Sequence, residues 1–281
     1  MSANLPVSQI RIAPALLNVQ VLSNEAAETT MLSPVLPFLV AILALPASAR
    51  DVSSNLRNFY NNQSPRRLHL ETRNGFLELT KWPKQQASPN TAPKFMVYIK
   101  GQGQSFANMD IDCDGEQGGP VTGGRCRSLD TKGVTSFQAI VHGYDKGIGD
   151  LNPNIHPYVV FGNLGSRPGW NTFEPQKVDI MPLSIVVVVC GNQLIYGIWG
   201  DINGDDGARP FVGEASISLA TACYGNGMTG DAGHDEDDVL YIAFRGARAV
   251  PGANGANWAA KSFAEFERSI EPLGDALVAL I

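Results

Sequence analysis

The chain has 281 residues, 44% of them hydrophobic, with a formal net charge of −6, enough apolar content for one domain around a single core. The charge is uneven: from Asp201 to Leu240 nine acidic residues stand against the single basic Arg209, a local net of −8. That sign excludes phosphate binding, and with it nucleic acid; it suits a polycation, the plainer reading being a solvated acidic face.

Residues 1–30 carry no convincing periodicity. Met31 opens MLSPVLPFLVAILALPASA, a short apolar segment ending in the small-residue site Ala47-Ser48-Ala49. It reads as a signal peptide (31–49) cleaved before Arg50, too short for a comfortable membrane span and without a positive n-region. The expectation is therefore translation from Met31, with residues 1–30 an artefact of the gene model or a disordered leader, and a mature domain of 50–281. Asp51 is placed to cap a short helix through Tyr60, with Val52, Leu56 and Phe59 on one face. Residues 62–93 are basic and polar, and no function is placed there; Asn62-Gln63-Ser64 is a glycosylation acceptor weakened by Pro65. From Lys94 the runs KFMVYIK, SFQAIVHGY, YVVFG, LSIVVVVC, QLIYGIW and VLYIAF alternate with Gly, Asn and Asp turns. They predict a mainly β domain, a compact and largely antiparallel barrel or sandwich. The tail from Asn257 to Leu280 has helical spacing, is expected to break at Pro272, and should pack on the barrel.

Four cysteines behind a secretory leader should pair. Of three pairings, Cys113 with Cys126 would clamp the acidic loop DIDCDG, and Cys190 with Cys223 would tie the strand before Asp201 to the stretch after Glu214. No CxxC spacing supports zinc.

The segment YGIWGDINGDDGARPFVGEASISLATACY holds the strongest chemical signal. Its strand, Gln193 to Trp199, should deliver Asp201 to an exposed end, and the turn residues that follow bring Glu214 back to face it. Two facing carboxylates suit general acid/base work at a glycosidic bond, one protonated toward the leaving oxygen and one ionised toward water. On spacing alone, two solvated loop carboxylates explain the pair as well. Asp110, Asp112 and Asp114 begin an EF-hand pattern, D-x-D-x-D-G, but Val121 stands where the bidentate Glu belongs. No metal is therefore expected. These residues read as subsite carboxylates for cationic sugars, or as Asx turn caps. Trp199 shares the facing of Asp201 under strand alternation and is the first candidate for a sugar platform, ahead of Trp170, though it could equally be core. His156 and His234 read as hydrogen-bonded structural residues, and no Ser/His/Asp spacing suggests a nucleophilic triad.

MDIDCDG, GRC, IHPYVVFGN, PLSIVVVVC, YGIWGDINGDD, VGEASISLATAC, GHDEDDVLYIAF and AVPG, in that order, closely resemble the fungal chitosanases of glycoside hydrolase family 75. The resemblance covers about residues 95 to 281 and leaves 62–93 unmatched. It implies a secreted, inverting endo-hydrolase of the β-1,4 bonds in chitosan, with Asp201 and Glu214 at the two essential carboxylate positions. Asn203, Asp205, Asp206 and Asp235 join Asp110, Asp112, Asp114 and Trp199 as expected substrate contacts. The implied protein is a monomer without cofactor, free of the membrane once its leader is removed. The strand, loop and GEAS helix also look like double-psi β-barrel hydrolases, a likeness of fold alone. If Glu214 opens a helix, the positive helix end lowers its pKa. Its higher reference pKa and the charges of Asp205 and Asp206 oppose this, so Glu214 is assigned as acid and Asp201 as base. The alternatives are a noncatalytic, expansin-like polysaccharide-binding barrel and a hydrolase of chitin or cellulose.

Overall fold

Runs of β-branched residues become the middle strands of one mixed sheet. The computed structural model describes residues 50–63, 95–99, 106–118, 124–126, 133–164, 173–204 and 212–281. The expected leader, most of the 62–93 segment, Trp170, Asp205 and Asp206 lie outside the described residues. In chain order the elements are β1 (Arg50–Asp51), α1 (Ser54–Gln63), β2 (Met96–Tyr98), β3 (Ala107–Met109), β4 (Ile111–Asp112), α2 (Gln138–Gly143), β5 (Tyr158–Asn163), β6 (Ile185–Cys190), β7 (Gln193–Asn203), β8 (Ala215–Ser216), α3 (Ile217–Tyr224), β9 (His234–Phe244) and α4 (Phe263–Val278). The strands pair in the order β2-β9-β6-β7-β5-β8-β4, with β1 on β7 and β3 on β9; the ends of that path, β2 and β4, are not paired to each other.

β6, all of it buried, reads IVVVVC because both its faces are covered. It turns into β7 through Gly191 and Asn192, whose φ of 52° and 65° fit a two-residue hairpin turn that matches strand twist. β7 lies between β6, to which it is antiparallel, and β5, to which it is parallel. β4 and β8 are also parallel. Six of the eight strand pairings among the described residues are antiparallel, as the sequence predicts, and the two parallel ones make the sheet mixed. Alternation reports which way side chains face and carries no information on the direction of the neighbouring strand.

Three local expectations are corrected. The run SFQAIVHGY holds helix α2, not a strand: Phe137 and Val141, four apart, are buried while Ala139, Ile140 and His142 are exposed, a helical period. Asp51 caps nothing; it pairs with Gln193 in β1, and α1 begins at Ser54. α4 runs unbroken through Pro272. The lost backbone bond is offset by packing, since Phe266, Ile270, Leu277 and Val278 are buried and Gly274 sits on the Tyr196 ring. Ser262 caps the start of α4 by accepting from Glu265 N, while Glu265 accepts from Lys261 N at 2.6 Å. Arg50 ties β1 to this helix through Glu267 at 3.3 Å and Glu271 at 2.7 Å, its guanidinium lying over Tyr196.

The disulfides are Cys113–Cys126 and Cys190–Cys223. The first closes the loop that follows β4, and the second joins the end of β6 to the last turn of α3.

Candidate active site

β5 is the axis of the site. On one side Val160 is the register partner of Asp201 in β7. On the other, Val160 N donates to Glu214 O at 2.9 Å, and Gly213 N donates to Val160 O at 2.8 Å. Asp201 and Glu214 therefore flank one residue across two strand spacings, about 10 Å between Cα atoms. β4 lies beyond Glu214: Ala215 N donates to Asp110 O at 2.9 Å, bringing Asp110 alongside.

Glu214 lies on the approach to β8, three residues before α3, so the helix N-terminus does not act on it as a first-turn residue. Ser216 is the helix cap, accepting from Leu219 N, and it also takes the Tyr158 N–H at 3.0 Å, which fixes the backbone just after Glu214. Burial raises the Glu214 pKa to about 7, assisted by the charges of Asp110, Asp201 and Asp114, against an opposing hydrogen bond from the Asn203 side chain. Asn203, expected to touch substrate, thus hydrogen-bonds the Glu214 side chain.

Asp201, expected at an exposed strand end, is 5% exposed within β7. Its Oδ1 accepts from Ser136 N at 2.9 Å, Ser136 Oγ at 2.6 Å and Ile202 N at 2.7 Å. Burial raises its pKa to about 6, and those three donors hold it below where burial alone would put it. Asp112 is driven well above the usual carboxylate range by burial and by the charges of Asp201 and Glu214. Asp110 is also raised, by burial first and by Asp235 further, against a hydrogen bond from Asn108. Asp235 itself is exposed at the start of β9.

Asp112 Oδ1 accepts from Asp114 N at 2.8 Å, an Asx turn, and Asp114 Oδ1 accepts from Gly133 N at 2.8 Å. Carboxylate oxygens of Asp112, Asp114 and Asp201 lie within 4.8 Å of one another, the grouping among the described residues spaced to share a cation. Its donor chemistry fits calcium poorly. One oxygen of each carboxylate is already engaged by N–H or O–H donors, whereas calcium takes about 6–8 oxygens.

Trp199 is 0% exposed and offers no face to a sugar. β7 carries a bulge: Val159 pairs with Trp199 and Val160 with Asp201, which leaves Gly200 unpaired. Successive residues of β5 face opposite ways, so Trp199 and Asp201 do too, and simple alternation fails here. The indole packs edge-on against Phe137 at 4.8 Å and donates Nε1–H to Asp201 O at 2.8 Å, which makes it a support for the carboxylate's backbone.

His156 is buried, accepts Asn152 N at Nδ1 and donates from Nε2 to Trp258 O; burial lowers its pKa to about 4, so it is neutral. His234 stacks on Tyr224 and reaches Glu236 and Asp238. Ser136 and Asn108 escaped the sequence reading, since neither has a spacing that marks it.

A family model for fungal chitosanase of glycosyl hydrolase group 75 matches residues 109–280, taking in every one of these site carboxylates. The chain belongs to this family. Similar curated proteins include endo-chitosanase B of Aspergillus oryzae (strain ATCC 42149 / RIB 40), 45% identical over 65% of this chain and 71% of the relative. An endo-chitosanase of Aspergillus fumigatus is 48% identical over 63% of this chain and 69% of the relative. Another, from Aspergillus oryzae, is 39% identical over 86% of this chain and 96% of its own length.

Proposed function

We propose that this glycoside hydrolase is a secreted, monomeric endo-chitosanase that cleaves β-1,4 bonds between glucosamine units by single displacement. The observation that carries the reading is the placing of Asp201 and Glu214 on either side of Val160, one carboxyl in contact with ionising donors and the other pushed toward protonation. Glu214 gives its proton to the glycosidic oxygen as the C1–O bond breaks. A water on the opposite face of the sugar bonds to C1 and passes its proton to Asp201, and the configuration inverts. Inversion needs roughly 6.5–9.5 Å between carboxyl groups, and residues whose Cα atoms stand about 10 Å apart on the two flanks of Val160 have room for a water between them when their side chains run parallel. Asp110, Asp114 and exposed Asp235 supply negative charge for the ammonium groups of a deacetylated chain, which chitin and cellulose lack.

The finer fold reading is a closed barrel of double-psi type. Its support is that Ala107–Asp112 pairs with β9 through β3 and with β8 through β4, a near-continuous ribbon bridging the two sides of the sheet. The contiguous core from Val52 to Val278 supports a single mature domain over 50–281, and two disulfides together with the Ala47-Ser48-Ala49 site support secretion.

The test is reducing-end release from soluble, highly deacetylated chitosan, with Asp201→Asn and Glu214→Gln alongside. Each variant should lose about 10²–10⁴-fold in kcat, the usual weight of a positioned acid or base. Retention of activity by either would remove that residue from its role.

A further inference from the structure

We infer that Ser136 is the positioning residue of the proposed base, holding Asp201 through Oδ1 so that its other oxygen faces the attacking water. This rests on the acid/base reading above and adds a residue to it. Three donors converge on one oxygen: Ser136 N–H, Ser136 Oγ–H and Ile202 N–H. No donor among the described residues reaches Oδ2. A carboxylate with one oxygen saturated, and the other without a donor among the described residues, is oriented for a single proton transfer from a water on that second side.

Ser136 is fixed for this task by its neighbours. Thr135 bonds Asp150 twice, N to Oδ2 at 2.9 Å and Oγ1 to Oδ1 at 2.5 Å, and Asp150 is buried. Phe137 packs on Trp199, whose indole holds Asp201 O. The loop and the strand therefore grip each other twice: Ser136 takes the carboxylate, and the Phe137–Trp199 pair takes the carbonyl of the same residue. The Ser136 hydroxyl also accepts from Ile202 N at 3.2 Å, and of the two acceptors for its proton Asp201 Oδ1 at 2.6 Å is much nearer than Ile202 O at 3.4 Å. Ser136 itself is exposed, and neither the core nor a cap depends on its side chain. Among the described residues the hydroxyl's partners are Asp201 and the backbone of its neighbour Ile202.

The hydroxyl favours the ionised carboxylate, so its loss should raise the pH needed to ionise the base. In Ser136→Ala, kcat on soluble chitosan should fall about tenfold at pH 5.5, and the acidic limb of the kcat/KM profile should move up by about one pH unit, the usual weight of one hydrogen bond to a charged group. KM should stay within about twofold, since the hydroxyl contacts the base and not the sugar. Ser136→Thr keeps a hydroxyl and should return the limb toward its original position; thermal unfolding of both variants checks that the fold is retained. An unmoved limb in Ser136→Ala, or a Ser136→Thr variant that folds and yet behaves like Ser136→Ala, overturns the inference. Asp201→Asn separates the two levels. If it is inactive while Ser136→Ala is unaffected, only Ser136 loses its role; if it is fully active, the acid/base reading falls and this inference with it.

Discussion

Glu214→Gln should make the fold more stable above neutral pH even as it removes the proposed acid. The folded carboxyl titrates at about 7, against 4.5 for an unperturbed glutamate, mainly because it is buried and partly because Asp110, Asp201 and Asp114 share its surroundings. Each pH unit of that gap is worth about 1.4 kcal/mol, so ionising Glu214 in the folded state costs about 3.5 kcal/mol at most. Glu214 is only partly buried and solvent screens some of that, which leaves about 1–2 kcal/mol. Between the two pKa values the folded protein binds more protons than the unfolded chain, so wild-type stability falls as pH rises across that window. Below pH 4.5 the wild type is protonated in both states, and the amide is nearly equivalent to the acid. The Tm difference should therefore be small at pH 4, open between about 4.5 and 7, and level off near a gain of about 2–8 °C at pH 8, using about 2–4 °C per kcal/mol for a domain of this size. Differential scanning calorimetry at pH 4, 5.5, 7 and 8 reads this directly. An equal gain at pH 4 and pH 8 would mean that packing, not charge, is responsible; a loss at pH 8 would refute the account of Glu214 as a costly buried charge.

Two further outcomes follow from the same geometry. The kcat/KM profile on chitosan should be a narrow bell, falling on the acid side near pH 6 as Asp201 takes a proton and on the basic side near pH 7 as Glu214 loses one, these values belonging to the pair as a macroscopic system. A profile flat from pH 4 to 8 would contradict the assignment. Gly200→Ala should cost about 2–3 kcal/mol in urea denaturation and depress kcat, because the added Cβ would stand 2.5 Å from Tyr158 Cβ and 2.8 Å from Leu151 Cδ1 beside the bulge that aims Asp201. Wild-type stability in that variant would show that the bulge tolerates a side chain.

The strands were legible where both faces are buried: LSIVVVVC and VLYIAF could be little else in a chain this rich in turns. Helix α2 was not, because a six-residue helix with one buried position leaves almost no periodic trace beside the β-branched Ile140 and Val141. The carboxylates of the site stood out by composition and by family resemblance. Their supports did not: Ser136 reaches Asp201 from 65 positions away in the chain, and Thr135 reaches Asp150 from 15. Such contacts depend on tertiary approach and leave no spacing to read. Asn203, expected among the substrate contacts, hydrogen-bonds the Glu214 side chain. The contribution expected of Asp205 and Asp206 to the rise in Glu214 lies outside the described residues; among those described, burial leads and Asp110, Asp201 and Asp114 add to it.

Trp199 shows why the reading went astray at one point and what the fold gains there. In a regular strand residues 199 and 201 share a face, and a tryptophan beside a catalytic carboxylate would be a natural sugar platform. The chain instead leaves Gly200 unpaired. That single extra residue lets β7 keep its largest side chain in the core while turning Asp201 to the opposite face, toward Glu214. Only glycine fits, since Tyr158 and Leu151 close over the position. The core tryptophan is then near enough to hold the carbonyl of the residue it would otherwise have accompanied into the cleft. One bulge thus serves both demands, a packed interior and an aimed base, and the cost of burying that base is met by the donors of Ser136 and Ile202.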